Sequence, residues 1–136
     1  MKKECIFCQI YKKEVASNCV YENKFGFAFL DIHPINPGHT LVIPKMHIED
    51  FYDLKEDYIF EIMKIVKEIA GILKREFKPK KVGMIVTGFD VAHAHVHVLP
   101  MYDYHDVTSI KILENKRGNP TLEELKDIEN KIRRSI

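Results

Sequence analysis

At 136 residues, with 21 basic and 20 acidic side chains and a formal net charge of +1, the chain carries no overall field that would draw it to nucleic acid or an anionic membrane. Its length suits one compact domain, expected over residues 1–136, that removes roughly two-thirds of its unfolded surface from water. No apolar run approaches the ~20 residues of a membrane span, and the start MKKECIFCQI lacks the apolar centre of a signal peptide, so a cytoplasmic location is expected.

Cys5, Cys8 and Cys19 are an odd number of cysteines without a secretory signal, which argues against a disulfide framework. Cys5 and Cys8 therefore read as thiols or metal ligands. Residues 19–21 and 25–31 are β-prone and are separated by the polar turn Glu22, Asn23 and Lys24, which predicts a hairpin. Pro34, Pro37 and Gly38 keep regular structure out of HPINPGH, and HTLVIP then supplies a strand closed by Pro44.

From Asp53, spaced from Glu56 as an N-cap from its partner, apolar residues at 58, 59, 62, 63, 66, 69, 70, 73 and 77 predict one long helix ending before Pro79. With Ile65 and Ile72 the stripe covers about half the circumference, more than the ~100° needed to sit on one surface. The excess fits either a partner subunit or a helix sunk in its own core. VGMIVTG and HAHVHVLP predict two more strands joined by FDVA, and a last helix is expected over about 120–136, with Thr121 and Glu124 as a capping box after Pro120. The sum is an α+β fold: a mainly antiparallel sheet of about five strands, one long helix and a C-terminal helix.

On a strand, His93, His95 and His97 share one face, while Ala94, Val96 and Val98 take the other, which reads as the core face. The backbones of His93 and His97 would then stand ~13 Å apart, too far for both to reach one ion at ~2.0–2.1 Å. Catalysis suits the row better. A neutral imidazole, with a reference pKa near ~6.5, is a nucleophile at neutral pH, and flanking imidazoles can hold the oxygens of an anionic centre such as phosphate. The middle histidine would attack phosphorus while its neighbours orient it and offset developing charge.

HAHVHVL resembles the signature of the histidine triad family, His-x-His-x-His followed by two apolar residues, with x apolar. CIFCQI and FAFLDIHPINPGHTLVIPKMHI fall in the same order as in that family, so the likeness covers most of residues 4 to 101. It implies a small α+β homodimer that binds a nucleotide and hydrolyses or transfers a nucleoside monophosphate group. It also implies His95 as the nucleophile forming a nucleotidyl-histidine, with His97 and His39 contacting the phosphate. Asp31 matches the residue that holds the ribose hydroxyls, and Ile6, Phe7 and Ile32 match the walls of the base pocket. A carboxylate is a pure acceptor for two hydroxyl hydrogens, and flat apolar walls suit a purine.

Some members of the family carry a structural zinc, and its ligand positions correspond here to Cys5, Cys8, His47 and His93. Cys19, His33 and His105 read as core, loop and surface. The sequence departs from the family before the triad, where TGFDVA replaces a longer glycine-rich loop ending in Gly-Gln-Ser or Gly-Gln-Thr. Thr87 stands in for an asparagine of the family, and Asp90 is expected to hydrogen-bond a histidine or the chain rather than an anionic substrate, which it would repel. Substrates in view are nucleoside phosphoramidates, dinucleoside polyphosphates and adenylylated compounds. MYDYHDVTSI is expected to bear on the leaving group. The alternative function is a nucleotide-binding, zinc-stabilised interaction module with little turnover.

Overall fold

The computed structural model describes residues 4–108, 114 and 119–134. The last two residues of MYDYHDVTSI, and residues 135 and 136 of the expected C-terminal helix, lie outside them. The chain divides into two compact units, Met1–Asp106 and Val107–Ile136.

In the first unit, helix α1 (Ile6–Tyr11) precedes strands β1 (Cys19–Glu22), β2 (Gly26–Leu30) and β3 (Thr40–Pro44). A 3-10 turn at Phe51–Asp53 leads into α2 (Glu56–Phe77), β4 (Lys81–Ile85), β5 (Val96–Met101) and a second 3-10 turn at Tyr104–Asp106. The hairpin of β1 and β2 is closed by Asn23, whose Oδ1 accepts the amides of Phe25 and Gly26 at 2.9 and 3.0 Å. The five strands form one antiparallel sheet in the order β1-β2-β3-β5-β4, so β5 is hydrogen-bonded on both sides.

Period-two alternation gives this sheet two buried faces. Ala28, Val42, Val96 and Val98 meet Ile62, Ile65, Val66, Ile69 and Leu73 of α2 on one side. Phe27, Phe29, Leu41 and Ile43 meet Phe7 and Ile10 of α1 on the other. The histidine side of the sheet is thus a core face as well, where the sequence pattern placed only the α2 side in the core. Helix α1 is the cause. Six residues are too few for a helical period to show in sequence.

The N-cap of α2 is Lys55, without a side-chain cap hydrogen bond, and Asp53 lies two residues before it in the preceding 3-10 turn, where its amide donates to Asp50. A side-chain cap is worth about 1 kcal/mol, and each buried aliphatic side chain about 1.5–3 kcal/mol, so the apolar stripe decides where α2 sits. Two glycines let the elements close up. A Cβ on Gly26 would come within 2.6 Å of Ile65, and Gly38 takes φ +97 beneath Phe77 and Leu73. Cys19, expected in the core, is exposed, since β1 is an edge strand with little cover.

The second unit contains α3 (Leu122–Arg133). Its capping box forms as expected: the Thr121 amide donates to Glu124 Oε1 at 3.3 Å and the Glu124 amide to Thr121 Oγ1 at 3.1 Å. Among the described residues, no helix is long and apolar enough to cross a membrane.

Candidate active site

The ladder of β5 begins at Val96, so His93, Ala94 and His95 precede it rather than extending it. The physical reason is that the backbone amides of His93 and Ala94 bond elsewhere. The His93 amide donates to Val91 O at 2.9 Å, closing a turn, and the Ala94 amide donates to Ile48 O at 2.6 Å. His93 and His95 are consequently buried under α1, at 0% and 4% exposure, while His97 sits in the ladder opposite Leu41 and Ile85.

Hydrogen-bond partners assign a tautomer to each of four imidazoles. A carbonyl can only accept, so His95 Nδ1, 2.7 Å from His93 O, carries its proton and Nε2 keeps the lone pair. His93 Nε2 likewise donates to Pro44 O at 3.1 Å, leaving its Nδ1 lone pair toward the cysteines. His39 is the reverse case: the Ile35 amide donates to its Nδ1 at 3.0 Å, which puts the proton on Nε2. That Nε2–H lies 2.9 Å from His97 Nδ1 and donates to it, so the proton of neutral His97 is on Nε2. Burial holds His39 and His97 below the ordinary imidazole range, with His95 and His39 adding to the effect at His97, and both are neutral near pH 7.

His95 and His97 border a cavity of about 380 Å³ whose other walls include Ile6, Phe7 and Ile10 of α1 and Phe29, Asp31 and Ile32. The volume falls in the range of small-molecule sites. Phe7 stands edge-to-face on His95, with centroids 5.1 Å apart, and so braces the ring from α1. Asp31 sits at the end of β2 with Oδ1 accepting the His33 amide at 2.8 Å and Oδ2 lying 3.6 Å from His39 Nε2. Asp31, Ile32, Ile6, Phe7, His95 and His97 are thereby gathered on one cavity. His39 joins through His97, whereas Thr87 stands exposed outside this lining. Asp90 lines the cavity, and its negative charge favours protonation of His97.

Beneath α1, single ligand atoms of Cys5, Cys8, His47 and His93 all lie within 4.8 Å of one another. His93 Nδ1 is 3.6 Å from Cys5 Sγ and 3.5 Å from Cys8 Sγ, and His47 Nδ1 is 3.4 Å from Cys8 Sγ. A tetrahedral ion with bonds of ~2.3 Å to sulfur and ~2.0–2.1 Å to nitrogen has sulfur-to-nitrogen edges of about 3.5 Å. The cluster therefore fits such an ion, and the Pro44 carbonyl behind His93 is the outer partner expected of a ligating imidazole. Asp31, His39 and His97 form a second close group. Its hydrogen bonding opposes a metal, because His39 Nε2 carries a proton and His97 Nδ1 accepts it.

Two contributors were not singled out from sequence. His33, taken as a loop residue, lines the cavity, and only its place beside Asp31 and Ile32 could have pointed to it. The Ile35 amide orients His39, and no backbone donor can be read from residue types. His105 is on the surface as expected, paired with Asp103 at 2.6 Å.

The HIT domain family profile matches residues 12–104. A HIT family protein from Bacillus anthracis superposes with a TM-score of 0.83 at 34% identity, covering 100% of this chain and 99% of that one. Adenosine 5'-monophosphoramidase of Saccharomyces cerevisiae is 35% identical over 100 residues, 73% of this chain and 63% of its own. A zinc-bound histidine triad family protein from Mycobacterium smegmatis superposes with a TM-score of 0.69 at 28% identity, covering 88% of this chain and 86% of that chain.

Proposed function

The chain belongs to the histidine triad (HIT) family, and on that premise we propose that it is a cytoplasmic nucleotide hydrolase or transferase acting at the α-phosphate of a nucleoside phosphoramidate or related compound. The observation that carries the reading is the His95 ring: Nδ1–H is committed to a backbone carbonyl, which leaves Nε2 unprotonated on a residue lining a cavity of about 380 Å³. The yeast relative, named for phosphoramidate cleavage, supports the substrate class.

In this reading the base lies between Ile6, Phe7 and Ile32, and Asp31 accepts the ribose hydroxyls. His95 Nε2 attacks phosphorus in line with the departing group, and the resulting nucleotidyl-histidine keeps its Nδ1–H on the His93 carbonyl, which stabilises the added positive charge. Water then attacks phosphorus, the P–N bond breaks, and His95 returns to its starting tautomer. His97 holds the phosphate side, with His39 behind it.

A structural zinc on Cys5, Cys8, His47 and His93 is supported by the spacing of those atoms and by the zinc-bound mycobacterial relative. When bound, such an ion ties α1 to the segment before β5 and stays closed to substrate. A homodimer is supported by apolar side chains left exposed on neighbouring elements, Phe60 and Met63 of α2 and Met84 of the edge strand β4.

The test is incubation with adenosine 5'-phosphoramidate labelled at phosphorus, followed by assay of AMP release and rapid quenching for labelled protein. Turnover with label on His95, and loss of both in His95→Ala, is the expected outcome. Binding without release of AMP would replace the enzyme with a nucleotide-holding module.

A further inference from the structure

Resting on that reading, we infer that His97 serves the reaction as a neutral hydrogen-bond donor to the phosphoryl group and is barred from being the acid that protonates the leaving group. The inference comes from a chain of three donors running in one direction. The Ile35 amide donates to His39 Nδ1 at 3.0 Å, and His39 Nε2–H donates to His97 Nδ1 at 2.9 Å. His97 Nε2–H is then left for the cavity that His97 lines.

To act as an acid, His97 would first have to become an imidazolium with a proton on Nδ1. That proton would point at the Nε2–H of His39. Asp31 Oδ2, at 3.6 Å from His39 Nε2, is beyond hydrogen-bond reach, so His39 clears its Nε2 by moving the proton to Nδ1, where it meets the Ile35 amide, and a main-chain amide cannot become an acceptor. Each attempt to add a proton therefore sets two donors face to face. The other route, loss of Nε2–H from neutral His97, leaves an imidazolate. Around His97, burial, His95 and His39 oppose positive charge, while Asp31 and Asp90 favour it, and burial is the largest of these effects. His39 and the Ile35 amide are thus positioning groups that act through His97.

The reaction balances without an acid at this position. A bond forms between His95 Nε2 and phosphorus, the bond from phosphorus to the leaving nitrogen breaks, and its electron pair stays on that nitrogen, which takes a proton from solvent water. The proton returns to solvent in the second half, when the attacking water loses one.

His97→Gln tests this, since its amide can present an N–H near the position of Nε2 but is no acid. Turnover is measured for adenosine phosphoramidates of anilines and alkylamines of rising basicity, with the p-nitrophenyl ester of AMP as a substrate whose leaving group needs no proton. Expected is a common fractional loss for all of them, with the parent's dependence on leaving-group basicity, and a larger common loss in His97→Ala. A loss of ~10² to 10⁴ confined to the alkylamines, with the ester spared, is the signature of a missing general acid and would overturn the inference.

If the parent itself turns over nothing, or the label is not on His95, the functional reading has failed instead. Nitrogen-15 NMR of the imidazoles gives a check that needs no variant. At neutral pH, His39 and His97 should both be the Nε2–H tautomer, and a proton on Nδ1 of either refutes the inference.

Discussion

Gly26→Ala should destabilise the protein while Gly71→Ala stabilises it, although both add one methyl group. At position 26 the new Cβ would lie 2.6 Å from Ile65 Cδ1, 2.9 Å from Ile62 Cδ1 and 3.4 Å from Ile43 O. Relief requires both isoleucines to leave their rotamers, at about 0.5–1.5 kcal/mol each. Replacing glycine within a strand returns about 0.5–1 kcal/mol, so a net loss of about 1 kcal/mol follows at mid-range. At position 71, inside α2, the nearest atom is Arg75 Nη1 at 3.5 Å, and the helix gains about 0.5–1 kcal/mol. Urea denaturation with a slope of ~1–3 kcal/mol/M would show the first midpoint falling by roughly 0.5–1 M and the second rising. A Gly26→Ala protein as stable as its parent would show that β2 and α2 are not held together as closely as described.

Three further outcomes are expected. Cys8→Ser should lower bound metal, measured by elemental analysis, and hasten proteolysis within residues 6–11, because the cluster secures α1; unchanged metal content would remove Cys8 from the ligand set. Asp31→Ala should weaken AMP binding by about 1.5–3 kcal/mol in calorimetry, the usual worth of hydrogen bonds to a charged group, and an unaltered Kd would end its ribose role. The third concerns acid. Unfolded imidazoles titrate near ~6.5, whereas burial keeps His39 and His97 lower in the folded chain, so below ~6.5 the unfolded state takes up protons that the folded state refuses. Stability should therefore fall as pH drops from 7 to 5, and fall less in His39→Gln; equal losses would contradict the assignment.

The sheet and α2 were readable because their periods are long and unbroken, and the Thr121 box because it depends on two residues three apart. The triad stood out for a different reason: three imidazoles at alternate positions have no use in an ordinary core. What alternation could not show is that the ladder starts only at Val96, since that depends on amides captured by Val91 and Ile48, distant choices with no local signature. The same limit hid α1. Its burial of His93 and His95 turns a row that looked open to solvent into a covered one, and it explains why Phe7 touches both rings. Asp53 and Glu56 had the spacing of a cap, but Asp53 ends the 3-10 turn at Phe51–Asp53 and α2 starts two residues further on, with Lys55 as its N-cap.

The order β1-β2-β3-β5-β4 places the last strand to be synthesised between two made earlier. Until residues 96–101 arrive, β3 and β4 each lack one neighbour, and both offer free peptide groups to any passing chain. Closing that gap completes the sheet and sets His97 in its ladder between Leu41 and Ile85.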